Sequence, residues 1–302
     1  MPEELTPILP GTLSERLAQT STRALALGAL QPIATRETRI ADGGVTFLVR
    51  QVDSLARKAA ERARPRPPES GRAEQASPFL PPEPELAVGA LSATHFGVLN
   101  KFNVLDSHLL IVTRRLEHQE TLLTLADLEA LALCLRELDG LGFYNGGAVA
   151  GASQSHKHLQ LVPLPLDQDG PAVPMEPLLE AADSGSTALP FPHAFARLPS
   201  DGDTGPNPLG LHRLYLELLR RIGVRPVPGS GGLWQSGPYN LLVTRRWMLA
   251  VPRRAELVDG ISVNALGFAG SLFVKDAAGL AAIRRRGPMA LLGAAAGSQA
   301  PG

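Results

Sequence analysis

Two histidines stand one residue apart in the stretch SQSHKHLQLVPLP, which follows a glycine-rich segment. The alternation of polar and apolar residues predicts a β-strand, in which successive side chains point to opposite faces. His156, His158 and Gln160 would share one face, and the leucines between them would share the other. Because the leucines require a core, we expect the histidine face to border a cleft. Pro163 and Pro165 then end the strand, since proline cannot donate a hydrogen bond to a neighbouring strand.

Three roles are open to this histidine pair. The first is structural, with one ring buried and one exposed, because histidine is often partly buried in proteins. The second is a metal site, but two histidines on one face supply only half of a tetrahedral site, glutamine is a poor third ligand, and no cysteine or HExxH motif lies nearby. The third is covalent catalysis, with one imidazole as nucleophile and polar neighbours that hold a charged substrate.

The residues upstream of the strand favour the third role. The segments Asn145–Gly147 and Gly151–Ser155 supply small residues, hydroxyl groups and backbone N–H groups. Such a loop can approach an anion closely, and its amides can surround a phosphate group. Joined to a histidine pair, this segment indicates phosphoryl or nucleotidyl chemistry.

Composition excludes several other classes of protein. The chain has 302 residues, no net charge and 44% hydrophobic residues, which is enough for one large domain or two closely packed ones. Charge balance gives no electrostatic basis for binding nucleic acid. The single cysteine, Cys134, excludes an internal disulfide and a thiolate zinc cluster. The apolar runs are too short to span a membrane and the N-terminus is unlike a signal peptide, so we expect a cytoplasmic protein without a membrane partner.

The N-terminal half alternates between helical and strand patterns. Thr12 and Glu15 form the signature of a capping box, which predicts a first helix, and Thr124 with Asp127 predicts the start of a later one that stops at Gly140. The remaining predicted elements are a strand in GGVTFLVRQ, a helix in VDSLARKAAERA, a mobile loop over 64–87, and strands in HFGVLNKF and HLLIVTRR.

The C-terminal half repeats this mixture. We expect loops over 167–209, a helix in LHRLYLELLRRIG, a hairpin formed by YNLLVTRR and WMLAVPRR, a short helix near Leu280 and a frayed tail. HLLIVTRR and NLLVTRR share the order Leu-Leu, Val-Thr-Arg-Arg, which hints at similar sheets in the two halves.

The stretch around the histidines resembles the His-x-His-x-Gln form of the histidine-triad superfamily signature. That form occurs in galactose-1-phosphate uridylyltransferases and in diadenosine tetraphosphate phosphorylases, also called ATP adenylyltransferases. Blocks that resemble the second family run from about residue 30 to about residue 290: HFGVLNKFNVLDSHLLIVTRRLEHQE, YNGGAVAGASQSHKHLQ, LPFPHAFARL, YNLLVTRRWMLAVPR and GISVNALGFAGSLFVK. The extra metal-ligating cysteines or histidines usual in the uridylyltransferases are not found.

The resemblance implies an α+β, histidine-triad-like fold with mostly antiparallel sheets, flanking helices and two related halves that share one core. We expect a catalytic half over 1–166, connecting loops over 167–209 and a second half over 210–302 that completes the nucleotide site. The implied reaction is phosphorolysis of diadenosine tetraphosphate to ATP and ADP, and the reverse, through an adenylyl-histidine intermediate. The implied partners are therefore diadenosine tetraphosphate, ATP, ADP and inorganic phosphate. No cofactor or protein-bound metal is required, although Mg²⁺ could accompany the polyphosphate.

The resemblance also assigns roles to single residues. His158 would be the nucleophile, with the carbonyl of His156 holding the proton on its other ring nitrogen, and Gln160 would contact a phosphate oxygen. Substrate contacts are expected from Lys58, Asn100, Lys101, Asn145, Gly151, Ala152, Ser153, Gln154, Ser155, Asn264, Ala265, Leu266, Ser271 and Lys275. The other histidines near the motif, His95, His108 and His118, are expected to be structural.

Two alternatives from other classes remain at the level of sequence. One is a uridylyl- or guanylyl-sugar transferase of the same superfamily, and the other is a nucleotide-binding regulator without turnover. Activity on a nucleoside diphosphate sugar would favour the first, and indifference of activity to loss of His158 would favour the second. The oligomeric state is not predicted.

Overall fold

A computed structural model describes residues 5–52, 77–185, 189–199 and 206–297 of the chain. Two predictions lie outside the described residues, namely the helix in VDSLARKAAERA beyond its first residue and the loop over 64–76. The strands are β1 Thr35–Asp42, β2 Val45–Val52, β3 Ala87–Ala90, β4 His95–Leu99, β5 Leu109–Thr113, β6 Gly140–Gly146, β7 His158–Pro163, β8 Ala194–Arg197, β9 Pro226–Gly229, β10 Gly232–Gln235, β11 Tyr239–Val243, β12 Trp247–Pro252, β13 Leu257–Val258, β14 Ile261–Ser262 and β15 Ser271–Val274. The helices are α1 Leu13–Ala26, α2 Leu125–Glu137, α3 Glu176–Asp183, α4 Pro208–Arg221, α5 Ala277–Arg286 and α6 Pro288–Ala296.

One eight-stranded sheet organises the fold. Its strand order is β3-β4-β5-β7-β6-β11-β12-β8, and every neighbouring pair is antiparallel. A smaller sheet joins β1, β2 and β15, with β15 parallel to β2. The α+β fold with mostly antiparallel sheets is therefore confirmed. We expected the second half to add a related sheet, but β11 and β12 of that half, with β8 from the region 167–209, instead extend the sheet that carries β7.

The two faces of the large sheet pack against different layers. On one face, β7 contributes Leu159 and Leu161 to a core that α1, α2 and α4 cover. On the other face, Val162 joins a core formed with the smaller sheet, α3, α5 and α6. Because side chains alternate along a strand, this arrangement places His158 and Gln160 on the second face, as the sequence pattern predicted.

Helix α2 is held by the predicted cap. Thr124 accepts a hydrogen bond from the Asp127 amide, and the Asp127 carboxylate accepts one from the Thr124 amide. The capping box predicted for α1 is wrong. The Thr12 hydroxyl there donates to the Leu9 carbonyl, and Glu15 accepts from Gln19.

Two further predictions differ from the structure. The region 167–209 was predicted to be loops, but it contains α3 and β8. Their apolar residues Leu179 and Phe195 are buried in the core beside the smaller sheet. Within the tail AAAGSQAPG, which was predicted to be frayed, residues 294–296 instead form the end of α6, and Ala295 and Ala296 are buried there; residues 298–302 lie outside the described ranges. The predicted hairpin forms β11 and β12, which pair in antiparallel register.

Candidate active site

The imidazole of His158 stands at the start of β7, on the wall of a large cavity. The ring nitrogen Nδ1 donates to the His156 carbonyl at 2.8 Å, as predicted from sequence. The backbone amide of His158 is also held, since it donates to Oε1 of Gln119 at 2.8 Å. With its proton on Nδ1, the ring has an unshared pair on Nε2, which is the form that can attack phosphorus.

Burial keeps this ring neutral. The His158 side chain is 4% exposed, and desolvation lowers its pKa from 6.5 to about 4. The hydrogen bond to the His156 carbonyl acts in the opposite direction, because it favours the protonated ring, but burial has the larger effect. At neutral pH the unshared pair on Nε2 is therefore available without removal of a proton.

His156 was predicted to share the cleft face with His158, but it precedes β7, is completely buried and does not line the cavity. Its Nε2 lies 3.0 Å from the Thr113 carbonyl and 3.1 Å from the Arg115 carbonyl. Carbonyl oxygens only accept, so Nε2 carries the proton and the Ser77 hydroxyl donates to Nδ1. The ring of Phe79 packs against His156 at 5.8 Å and against His158 at 5.3 Å between centroids.

Gln160 lies two residues after His158 on the same face of β7, and it also lines the cavity. Its Oε1 lies 2.9 Å from Nε2 of His108, and Nδ1 of His108 lies 3.2 Å from the Nδ2 of Asn100. With Oε1 engaged by a donor, the Gln160 NH₂ group is the part of the amide left for a ligand. His108 was expected to be structural, but it lines the cavity and contacts two predicted site residues.

The glycine-rich segment is fixed from behind by a chain of amides. Oδ1 of Asn145 accepts from Nδ2 of Asn240 at 2.9 Å and from the Ala265 amide at 3.0 Å. Asn240 also donates to the Ala150 carbonyl and accepts from the buried Arg253 at 2.6 Å. Because both of these hydrogen bonds use the Oδ1 of Asn145, its NH₂ group is the part of the amide left for a ligand.

The amides of Gly151 and Ala152 do not form the predicted phosphate cradle. They donate instead to the carbonyls of Ala148 and Gly147, at 2.9 and 3.1 Å. Gly151 has φ +93°, and a Cβ there would lie 2.8 Å from Cβ of Asn264. Glycine is thus required for this turn to pass close to Asn264.

The cavity has a volume of about 870 Å³. That volume lies within the usual range for small-molecule sites. The sequence-predicted residues that line it are His158, Gln160, Asn100, Lys101, Asn145, Gly151, Ser153, Gln154, Asn264, Leu266 and Lys275. Eleven residues from distant parts of the chain therefore border one space.

Four predicted substrate contacts do not line the cavity, and Lys58 lies outside the described residues. Ser271 is completely buried, and its hydroxyl oxygen accepts a hydrogen bond from Nη1 of Arg50 at 2.6 Å. Ala265 acts through its amide on Asn145, and Ala152 closes the turn described above. Ser155 is exposed, and its carbonyl accepts from the Gln119 amide at 2.7 Å.

The cations of the cavity are unevenly paired. Nζ of Lys101 lies 2.9 and 2.7 Å from the two carboxylate oxygens of Glu83, which lines the same wall. Lys275 and Arg285 also line the cavity, and within the described ranges neither has a carboxylate partner. A polyanion in the cavity would meet these two charges without first displacing an ion pair.

Sequence analysis missed His108, Phe79 and Arg285 as cavity residues. Phe79 stands in a segment predicted only as loop, and Arg285 is one of three successive arginines at the end of α5. His108 stands just before β5, the strand that pairs with β7, so it is the strand pairing that brings this residue to the cavity. Leu110 faces Gln160 across the two strands, which places His108 near Gln160.

Two kinds of feature are absent from the described ranges. No group of three or more histidine, cysteine, aspartate or glutamate side chains there could hold a metal ion. Among the helices of those ranges, none is both long enough and apolar enough to cross a bilayer.

Comparison with protein families gives two matches that together cover most of the chain. Residues 3–181 match the Ap4A phosphorylase N-terminal domain, and residues 187–297 match the ATP adenylyltransferase C-terminal domain. The first match alone covers more than half of the chain, and it contains the histidine strand.

Two proteins of Saccharomyces cerevisiae are similar in sequence. Protein APA1 is 28% identical over 306 aligned residues, which cover 89% of this chain and 88% of that protein. Diadenosine 5′,5′′′-P1,P4-tetraphosphate phosphorylase 2 is 30% identical over 233 residues, which cover 66% of this chain and 69% of that protein.

Solved structures show the same fold. The crystal structure of yeast Ap4A phosphorylase Apa2 aligns with a TM-score of 0.75 at 22% identity, covering 100% of both chains. The structure of the same yeast protein in complex with Ap4A aligns with a TM-score of 0.73 at 24% identity, covering 97% of both chains. The architecture described above is therefore shared with that enzyme over its whole length.

Proposed function

The chain belongs to the family of Ap4A phosphorylases, or ATP adenylyltransferases, and we propose that it carries out the reaction of that family through His158. It is a nucleotidyltransferase, and its reaction is phosphorolysis of diadenosine tetraphosphate to ATP and ADP. The observation that carries the proposed mechanism is the hydrogen bond from Nδ1 of His158 to the His156 carbonyl, at the wall of the cavity.

In the first step, Nε2 of His158 attacks an α-phosphorus of diadenosine tetraphosphate. A bond forms between Nε2 and phosphorus, and the bond from phosphorus to the bridging oxygen breaks. That electron pair leaves with the departing ATP, and the adenylyl group stays on the ring. The ring becomes formally cationic because Nδ1 keeps its proton, and the His156 carbonyl at 2.8 Å stabilises this charge.

In the second step, an oxygen of inorganic phosphate attacks the same phosphorus. The bond between Nε2 and phosphorus breaks, its electron pair returns to the ring, and ADP is released. Neutral imidazole is a good leaving group, so no side chain has to protonate it. In neither step does the ring take up or release a proton. This agrees with the pKa of His158 near 4, which keeps the free ring neutral.

The remaining assignments follow from position in the cavity. The NH₂ groups of Gln160 and Asn145 would donate to oxygens of the reacting phosphoryl group, and donors of this kind often contribute a few kcal/mol to a transition state. Ser153 and Gln154 would contact the polyphosphate, with Lys275 and Arg285 neutralising its charge. Asn100, Lys101, Asn264 and Leu266 would border the nucleosides. Any Mg²⁺ would arrive with the polyphosphate, and the cytoplasmic location remains a prediction.

The test is mass spectrometry of the enzyme mixed with diadenosine tetraphosphate in the absence of phosphate. We expect an added AMP mass that disappears when phosphate is supplied, with release of ADP. The His158→Ala variant should take up no AMP, because no other group replaces the nucleophile. The matched control is His212→Ala, a half-buried histidine on α4 outside the cavity, and it should label as wild type does.

Two results would contradict the mechanism. One is turnover without any labelled enzyme during catalysis, and the other is labelling that persists in His158→Ala. Labelling by a nucleoside diphosphate sugar and none by diadenosine tetraphosphate would instead support the sugar-nucleotide alternative.

A further inference from the structure

His108 lies between two amide side chains of the cavity and touches both. Its Nε2 is 2.9 Å from Oε1 of Gln160, and its Nδ1 is 3.2 Å from Nδ2 of Asn100. The backbone adds a clamp, because the Asn100 amide donates to the His108 carbonyl at 2.9 Å. All three side chains line the cavity.

A neutral imidazole imposes a direction on such a chain. It has one N–H donor and one acceptor nitrogen, so each neighbouring amide must offer the complementary end. With the proton on Nε2, Gln160 turns its oxygen to His108 and its NH₂ group to the cavity. Asn100 then turns its NH₂ group to His108 and its oxygen to the cavity. The other tautomer would reverse both amides at once.

The surroundings of the ring keep it in a neutral form. Burial lowers the pKa of His108 from 6.5 to about 4, against the hydrogen bond with Gln160, and His158 nearby acts in the same direction as burial. The ring of Phe143 covers one side at 5.8 Å between centroids. Protonation of both ring nitrogens, which would force Asn100 to turn, is therefore excluded near neutral pH.

The ligand chemistry on each side matches the first tautomer. Gln160 follows His158 on the same face of β7, about 6.6 Å further along the strand. A phosphoryl group on His158 has only acceptor oxygens, so a useful neighbour must donate. A sugar hydroxyl, in contrast, can donate to the oxygen of Asn100.

We propose that His108, with its proton on Nε2, is a positioning residue that fixes the amides of Gln160 and Asn100 in opposite senses. Gln160 then presents a donor to the phosphoryl group, and Asn100 presents an acceptor to a ribose hydroxyl of the same nucleotide. One ring thereby sets two recognition properties, and this inference rests on the proposed function for its choice of ligand.

The first test measures the tautomer in the resting enzyme and needs no turnover. With ¹⁵N-labelled histidine, long-range proton–nitrogen correlation spectra should show a pyrrole-type Nε2 and a pyridine-type Nδ1 for His108, assigned by loss of the signals in His108→Leu. His158 should show the reverse pattern, which makes it an internal reference. A pyridine-type Nε2 on His108 would overturn the proposal, even if the adenylylation mechanism held.

The second test separates the two recognition properties by kinetics. In wild type we expect diadenosine tetraphosphate to be preferred over its 2′,3′-dideoxy analogue by about tenfold, the upper range for one neutral hydrogen bond. His108→Leu should bring this ratio close to one and raise the KM for phosphate, because both amides lose their orientation.

His108→Gln is the conservative variant, since its amide NH₂ can replace the Nε2 donor but its side chain offers no acceptor at the position of Nδ1. It should recover the KM for phosphate and leave the ribose preference lost. The histidine control is His212→Leu, which should keep both properties. Equal loss of both properties in His108→Gln and His108→Leu, or wild-type values in His108→Leu, would overturn the proposal.

Discussion

At the residue scale, the reactivity of His158 depends on where its ring sits. A histidine in water is half protonated near pH 6.5, and a protonated ring cannot attack phosphorus. Here one nitrogen is committed to the His156 carbonyl, and burial opposes the charged form. The ring is thus held at rest in the neutral form that the proposed nucleophilic attack requires.

This environment predicts how adenylylation depends on pH. The rate of the first step should stay near its neutral value down to about pH 5.5, because the His158 ring takes up a proton only near its lowered pKa of about 4. A ring with the ordinary value would lose about tenfold of its rate at that pH. The measurement is single-turnover formation of adenylyl-enzyme without phosphate, since phosphate itself titrates near neutrality. A decline centred at about pH 6.5 would show that the ring is not shielded as described.

At the element scale, strand β7 is held in place by contacts on the face opposite His158. Lys157 lies between the two histidines and is 1% exposed, with Nζ 3.1 Å from the Asp127 carboxylate and 3.0 Å from that of Glu117. Asp127 also caps α2 and lies 2.9 Å from Nε2 of His95. One carboxylate therefore joins β7, α2 and β4, and these contacts lower its pKa to about 2 against the effect of burial.

Replacement of this carboxylate should destabilise the fold. Asp127→Asn keeps the size of the side chain but leaves the buried Lys157 with the half-exposed Glu117 as its one carboxylate among the described residues, so we expect a loss of about 3–5 kcal/mol in the free energy of unfolding. Urea denaturation measures it. Glu129→Gln, on the exposed side of α2, is the matched control and should change stability by less than about 0.5 kcal/mol. An unchanged urea midpoint in Asp127→Asn would show that the ion pair contributes nothing.

At the scale of the whole molecule, the eight-stranded sheet contains strands from both halves of the chain. Strand β6 of the first half pairs with β11 of the second, from Gly146 opposite Tyr239 to Gly142 opposite Val243. Each core on either side of the sheet contains residues from both halves. The cavity likewise combines residues of both halves, because the Ala265 amide of the second half donates to Oδ1 of Asn145 in the first. The domain boundaries at 166 and 209 remain predictions, and both cores continue across them.

We therefore expect the chain to unfold in one step. Both tryptophans, Trp234 and Trp247, belong to the second half, so fluorescence reports on that half while far-ultraviolet circular dichroism reports on both. The two signals should give the same urea midpoint, because loss of β11 would expose β6 and both cores. A fragment of residues 1–166 should accordingly lack a cooperative transition. Two separated midpoints for the full chain would indicate halves that fold independently.

The sequence by itself determined what depends on neighbouring residues. The period of two around His158 and Gln160 fixed which side chains share a face, and Thr124 with Asp127 fixed the start of α2, because such signals act over a few positions. The resemblance added the nucleophile role proposed for His158 and eleven of the residues that line the cavity.

Only the tertiary structure decided contacts between residues far apart in the chain. His108 and Gln160 are 52 positions apart, and Asn145 and Ala265 are 120 positions apart, so no local pattern could pair them. The same holds for the inward turn of His156, the burial of Lys157 and the continuity of the sheet. Each of these follows from which strands become neighbours, and that choice belongs to the packing of the whole chain.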